Sequence, residues 1–235
     1  MSVCAIVLSY KRPQNIERLV LPYIASTLID RIVISNNNPD LDLLGWLGSV
    51  RDVPKVDLVQ QPRRSLPGKR FEIALTEPFD TFLCPDDDLF LTTAQIDALL
   101  GALRHEPNRV HGVYGEIHSF VNGSMQLGGG IHGIECELDI LNRCYAFTRD
   151  HLLQMSALAR ELGYQSVGDT LFVDDMLLSY CGDGPPICHD LGPLDSCETS
   201  ETPGIATFRE SGFDQARMAL WLRLAQSDRV QGNRR

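Results

Sequence analysis

The chain has 235 residues, enough for one good-sized domain or two small ones, and 43% of them are hydrophobic, as in a globular protein. Its net charge of −10 argues against nonspecific binding to nucleic acid or to an anionic membrane, because both need a basic surface. The apolar runs are strand-sized, so no transmembrane segment is predicted, and the N-terminus lacks the basic region of a signal peptide. The seven scattered cysteines include no CxxC pair, and we expect a protein of the reducing cytoplasm.

Strand and helix patterns alternate from the N-terminus onward. Continuous apolar runs at residues 4–10, 31–35, 56–60 and 81–85 are typical of strands buried on both faces. Helical patterns lie between them: one begins at Pro13, and the others cover residues 41–50 and 71–75. This alternation predicts a layered α/β fold with a mostly parallel central sheet flanked by helices.

The second half of the chain is less regular. Strands are predicted at residues 109–116 and 144–148, with a hairpin interrupted by three glycines at 128–130 between them. Helices are predicted at residues 95–103, 152–162 and 213–225, and residues 196–204 read as a loop. Residues 226–235 carry no apolar pattern and are expected to be disordered. With no internal repeat and no clear linker, we predict a single domain over residues 1–225.

Three polar clusters follow predicted strands, at residues 9–12, 36–38 and 86–88. Ligands of parallel α/β sheets collect at the carboxyl ends of the strands, so the three clusters are expected to form one site. The last cluster is Asp86, Asp87 and Asp88. Three adjacent carboxylates repel one another, and hard oxygen ligands of this kind suit Mg²⁺ or Mn²⁺. The alternative is a solvated acidic turn.

Further charged residues fall outside these clusters. Asp174 and Asp175 open a short amphipathic segment, where they either cap a helix or place a carboxylate at a reacting centre. Basic residues are scarcer than acidic ones, and the guanidinium groups of arginines suit bidentate contact with phosphate. The adjacent pair His189 and Asp190 leaves open a metal-dependent hydrolase, or His189 as an additional metal ligand.

The ordered set of motifs resembles glycosyltransferases of the GT-A fold. Ser-Tyr-Lys-Arg at residues 9–12, Asn-Asn at 36–37 and Asp-Asp-Asp at 86–88 carry the likeness, which is greatest to the exostosin-type family that makes heparan-sulfate-related linkages with retention. The resemblance runs from Ala5 to about Leu224. It implies a Rossmann-like nucleotide-sugar-binding fold with a smaller acceptor-side sheet, a donor-binding half at residues 1–91 and an acceptor and catalytic half at residues 92–225.

The resemblance also implies a role for individual residues. Those expected to bind the nucleotide-sugar donor are Ser9, Arg12, Asn36, Arg70, Asp86 and Asp87. Asp88, together with Asp86, would hold Mn²⁺ or Mg²⁺ on the diphosphate. Asp175 would lie beside the anomeric carbon, and Arg217 would steady the leaving diphosphate.

The implied activity is metal-dependent transfer of a sugar, from UDP-GlcNAc or UDP-GalNAc, to a glycan or glycolipid acceptor in polysaccharide biosynthesis. Phe213 stands where the family has a histidine, and the 196–204 loop is not similar. A GDP-mannose donor therefore stays open, as do the stereochemical outcome and the oligomeric state. The alternatives are a nucleotidyltransferase acting on a sugar phosphate and a non-catalytic sugar-binding relative.

Overall fold

The computed structural model describes residues 2–121 and 124–225. The segment predicted to be disordered, residues 226–235, lies outside these ranges. The strands of the described chain are β1 (Val3–Ser9), β2 (Arg31–Asn36), β3 (Val56–Gln60), β4 (Thr81–Pro85), β5 (Leu89–Phe90), β6 (His111–Gly112), β7 (Tyr114–Val121), β8 (Ser124–His132), β9 (Cys136–Glu137), β10 (Ile140–Leu141), β11 (Cys144–Thr148), β12 (Ile187–Cys188) and β13 (Asp195–Ser196). The α-helices are α1 (Ile16–Ala25), α2 (Lys69–Thr76), α3 (Thr93–His105), α4 (Arg149–Glu161), α5 (Asp174–Ser179) and α6 (Phe213–Ala225).

A large, mostly parallel sheet forms the centre of the fold, as the alternating pattern predicts. Its strand order is β3-β2-β1-β4-β11-β6-β12-β9. The strands β3, β2, β1 and β4 are mutually parallel, and β11 joins β4 in antiparallel register. Every residue of β1 and β4 is buried, which explains their continuous apolar runs. Strands from both predicted halves of the chain thus share one sheet.

Helices cover both faces of this sheet. Because successive strand residues point to opposite faces, Cys4 and Ile6 pack into one core with α2 and α4. Ala5 and Val7 point the other way, into a second core with α1 and α3. The predicted α/β fold class is therefore confirmed, and each strand of the parallel half is fixed by packing on two sides.

A smaller, separate sheet has the strand order β10-β7-β8. The sequence predicts one strand over residues 109–116, but the structure divides this stretch at Val113. Strand β6 pairs with β11 and β12 in the large sheet, whereas β7 pairs with β10 and β8 in the small one. The predicted hairpin is β7–β8, and its glycines at residues 128–130 lie within β8.

The helix predicted at residues 41–50 is not formed. Two 3-10 turns, Leu43–Trp46 and Gly48–Val50, replace it. Gly48 has a φ of +51°, a left-handed conformation that an α-helix cannot include. A Cβ at this position would also fall within 2.2 Å of the Glu17 carboxylate, so the turn needs glycine.

All seven cysteines are free thiols, so no disulfide contributes to this fold. Within the described chain, no helix combines the length and apolar character needed to cross a membrane.

Candidate active site

A cavity of about 550 Å³ opens at the carboxyl ends of β1 and β4, a size typical of small-ligand sites. Residues 10–12, Asn37 and the aspartates 86–88 all contribute to its wall. The structure therefore brings together the three polar clusters, as their positions after parallel strands predict. The starts of α5 and α6, residues 64–67, and residues of β7, β8 and the 142–145 and 200–210 segments also contribute to the wall.

Arg12 pairs with two of the three aspartates. Its Nη1 donates to Asp87 Oδ1 at 2.7 Å, and its Nη2 lies 3.1 Å from Asp88 Oδ2. Burial raises the pKa of Asp87 to about 6, although the ion pair with Arg12 opposes this rise. The guanidinium thus keeps two buried carboxylates compatible with the fold at neutral pH.

Arg70 neutralises the first aspartate, Asp86, in the same way. It is 5% exposed, and its Nη1 donates to Asp86 Oδ1 at 2.7 Å. Its Nε lies 4.0 Å from Asp174 Oδ2, and its guanidinium is 5.6 Å from the centre of the Tyr145 ring. Burial raises the pKa of Asp174, and the positive charge of Arg70 opposes this rise. Asp174, at the start of α5, is thus a second carboxylate beside Arg70.

Asp175 and Arg217 form the other charged pair of the cavity. Arg217 Nη1 donates to both carboxylate oxygens, at 2.7 and 2.9 Å, and also to the Phe172 carbonyl oxygen at 3.0 Å. Arg217 is 1% exposed, and its Nη2 donates to Glu116 Oε2 at 3.2 Å. Burial raises the pKa of Asp175, while the ion pair with Arg217 lowers it. One guanidinium thus bridges two cavity carboxylates from α5 and β7.

Two residues that bond to the charged groups of the cavity are not predicted by the sequence analysis. Glu116 lies on β7 and Arg143 lies between β10 and β11, in the irregular half of the chain. The Arg143 Nη2 donates to Asp88 Oδ1 at 3.1 Å. A glutamate within a strand and an arginine within a turn carry no local signature of function, and only the pairing of β7 and β11 brings them here.

The 196–204 loop closes one side of the cavity. Arg12 donates from Nε to Thr199 Oγ1 and from Nη2 to the Thr199 carbonyl oxygen, both at 3.0 Å. Lys11 Nζ donates to the Gly204 carbonyl oxygen at 2.7 Å. Arg12 therefore joins the aspartate cluster to a loop that the sequence predicts only as irregular.

Ser9 and Asn36 do not line the cavity. Both are 0% exposed. The Asn36 amide bonds within the fold, donating to the Leu41 carbonyl oxygen and accepting from the Asn38 N–H. Because successive side chains at a strand end point to opposite faces, the neighbouring Asn37 lines the cavity instead. As direct donor contacts, Ser9 and Asn36 are displaced from the position that the resemblance implies.

His189 lies outside the cavity and does not join the aspartates. Its Nε2 is 2.8 Å from His111 Nδ1, and its Nδ1 is 2.7 Å from Glu135 Oε1. His111 Nε2 is in turn 2.8 Å from the Glu106 carbonyl oxygen. Both nitrogens of His189 are thereby engaged, which removes it as a metal ligand.

A metal in this cavity would have few protein ligands. Within residues 2–121 and 124–225, no three His, Cys, Asp or Glu side chains are grouped to hold an ion. Arginines bond to both oxygens of Asp88, whereas Arg70 bonds only to Oδ1 of the more exposed Asp86. Mg²⁺ is commonly held by one or two carboxylates plus substrate phosphates, so Asp86, whose Oδ2 is outside the Arg70 bond, fits an ion bound jointly with a diphosphate. Asp88 would join it through the oxygen lone pairs that its arginine bonds leave unused.

Comparison with known proteins shows the fold but not the family. No family model and no curated protein matches the chain. The crystal structure of S. aureus TarS 1–349 in complex with UDP-GlcNAc matches with a TM-score of 0.65 and 14% identity, over 97% of this chain and 68% of that one. A second TarS 1–349 structure gives a TM-score of 0.61 and 13% identity, over 97% and 66%. CMP:2-keto-3-deoxy-manno-octonic acid synthetase with CTP matches at a TM-score of only 0.48 and 11% identity, over 67% and 78%, too loosely to bear on function.

Proposed function

We propose that this protein transfers a sugar from a nucleotide-diphosphate donor to a hydroxyl of a glycan or glycolipid acceptor. UDP-GlcNAc or UDP-GalNAc is the proposed donor, a divalent metal is required, and the configuration is retained. The observation that carries the proposal is the convergence of Asp86–Asp88 and Asp175–Arg217 on one cavity at the carboxyl ends of parallel strands. The fold shared with TarS 1–349, which was crystallised with UDP-GlcNAc, supports a nucleotide-sugar donor but not the exostosin-type assignment.

Departure of the nucleotide requires that the growing negative charge on its diphosphate be stabilised. The buried Nε of Arg217 has no hydrogen-bond partner among the described residues, although a buried donor is usually paired. Because this atom is itself shielded from solvent, Arg217 would act on the diphosphate through its positive charge. Mn²⁺ or Mg²⁺ held by Asp86 and Asp88 would supply Lewis-acid stabilisation of the same charge.

Asp175 is the proposed catalytic carboxylate. Arg217 binds both of its oxygens, and the Met176 N–H donates to Oδ1 at 2.7 Å, so the carboxylate is held in one orientation. In a retaining transfer it would stabilise the positive charge at the anomeric carbon or form a bond to it. In an inverting transfer it would accept the proton of the acceptor hydroxyl.

The proposal is tested by release of UDP from UDP-GlcNAc and UDP-GalNAc with Mn²⁺. We expect release to fall about a hundredfold in EDTA, and in the Asp88→Ala variant, because charge stabilisation on the diphosphate is lost. Asp195→Ala is the matched control, since Asp195 is exposed and pairs with Arg18 outside the cavity.

Other outcomes separate the alternatives. Full activity in EDTA would reject the metal. Pyrophosphate release from a nucleoside triphosphate and a sugar phosphate would favour the nucleotidyltransferase, and donor binding without turnover would favour the non-catalytic relative.

A further inference from the structure

Arg143 has a strained backbone at the cavity wall. Its φ is +64°, and among the described residues only Phe172 shares a positive φ without being glycine. Both residues line the cavity. The left-handed conformation costs about 1–2 kcal/mol for a residue with a Cβ, and such strain is found most often at functional sites. Glycine would adopt this conformation at lower cost, so the arginine side chain itself requires a reason.

Hydrogen bonds fix Arg143 against the aspartate cluster. Its carbonyl oxygen accepts the Asp86 N–H at 2.6 Å, and its Nη2 donates to the Asp88 carbonyl oxygen and to Asp88 Oδ1, each at 3.1 Å. The guanidinium lies 5.0 Å from the centre of the Tyr114 ring. The side chain is 17% exposed. It is therefore held in one place, with a small part of its surface open to the cavity.

Arg143 and Arg12 together neutralise Asp88, and Arg143 still has donors that this carboxylate does not use. Arg12 already pairs with Asp88 at 3.1 Å, so Asp88 has two guanidinium partners. Both hydrogen bonds of the Arg143 guanidinium come from Nη2, and its Nη1 and Nε bond to no described residue. A planar group with unused donors, fixed next to the expected metal ligand, suits the oxygens of a diphosphate.

We propose that Arg143 binds the diphosphate of the nucleotide donor. This inference rests on the proposed function and adds a residue to its donor site. The ligand class is a nucleoside diphosphate, because a guanidinium with unused donors beside the candidate metal ligand Asp88 suits adjacent phosphate oxygens.

The test measures the affinities of UDP, UMP and uridine by calorimetry, with GDP, CDP and ADP included to cover a different base. Arg143→Gln removes the charge, and Arg143→Gly removes the side chain while relieving the backbone strain. We expect both variants to bind UDP about 10- to 100-fold more weakly, as for loss of charged hydrogen bonds, and uridine as the wild type does. Arg18→Gln is the control, because this exposed arginine pairs with Asp195 outside the cavity.

The outcomes are distinguishable. Unchanged UDP affinity in Arg143→Gln and Arg143→Gly, each shown to be folded by its melting curve, would overturn the role of Arg143 and leave the proposed function intact. An equal loss for UDP and uridine would overturn it too, since the effect would then be on the whole site. A wild-type protein that binds none of the four nucleoside diphosphates would reject the proposed function and, with it, this inference.

Discussion

Replacing Asp175 by asparagine is expected to lower kcat for sugar transfer about a hundredfold to a thousandfold. The amide keeps the shape of the side chain but removes the negative charge that faces the cavity. Donor affinity should change less than about threefold, because the diphosphate contacts belong to other residues. Steady-state kinetics measures kcat, and a binding measurement with the same donor gives its affinity.

The matched control for this variant is Asp150→Asn. Asp150 occupies the first turn of α4, as Asp175 does in α5, but it is exposed and outside the cavity. If Asp175 only stabilises the helix start, both variants should have the same small effect on stability and none on kcat. Unchanged turnover in Asp175→Asn would reject its catalytic role.

Replacing Arg12 by glutamine is expected to have the largest effect on stability. It removes the ion-pair partner of Asp87 and one partner of Asp88, and the free energy of unfolding should fall by about 3–5 kcal/mol at neutral pH. It also detaches the 196–204 loop, so donor binding should be lost with it.

The loss of stability in the Arg12→Gln variant should depend on pH. The pKa of Asp87 is already raised to about 6 by burial, and removal of Arg12 should raise it further above the ordinary value of 3.8. A folded carboxyl that holds its proton more tightly than the unfolded one destabilises the fold as pH rises through the folded pKa. The deficit should therefore be smaller at pH 5 than at pH 8 in chemical denaturation. A pH-independent deficit, or one no larger than that of Arg18→Gln, would contradict this assignment.

The parallel half of the fold could be predicted because its signals are local. The run that ends at Pro85 is apolar throughout, so strand β4 and the position of Asp86–Asp88 at its end follow directly. Asp175 and Arg217 also line the cavity, and their roles there stay a prediction. The direction of individual side chains was less predictable. Asn37 rather than Asn36 lines the cavity, because a strand end alternates its faces residue by residue.

The antiparallel half depends on pairing that the sequence does not display. Residues 109–116 look like one strand, but their two ends pair in different sheets. Glu116 and Arg143 reach the cavity only through that division. The sequence also does not show which cations neutralise the aspartates. It suggests a metal ion at Asp86–Asp88, whereas the structure places Arg12, Arg70 and Arg143 beside them.

The most direct test of the central claim is a thermal-shift measurement with nucleotide sugars and Mn²⁺. UDP-GlcNAc or UDP-GalNAc at about 100 times its Kd should raise the melting temperature by about 5 °C or more. Arg12→Gln should show no such rise with the same donor. A wild-type protein that responds to no UDP-, GDP-, CDP- or ADP-sugar would contradict the assignment of this cavity as a nucleotide-sugar site.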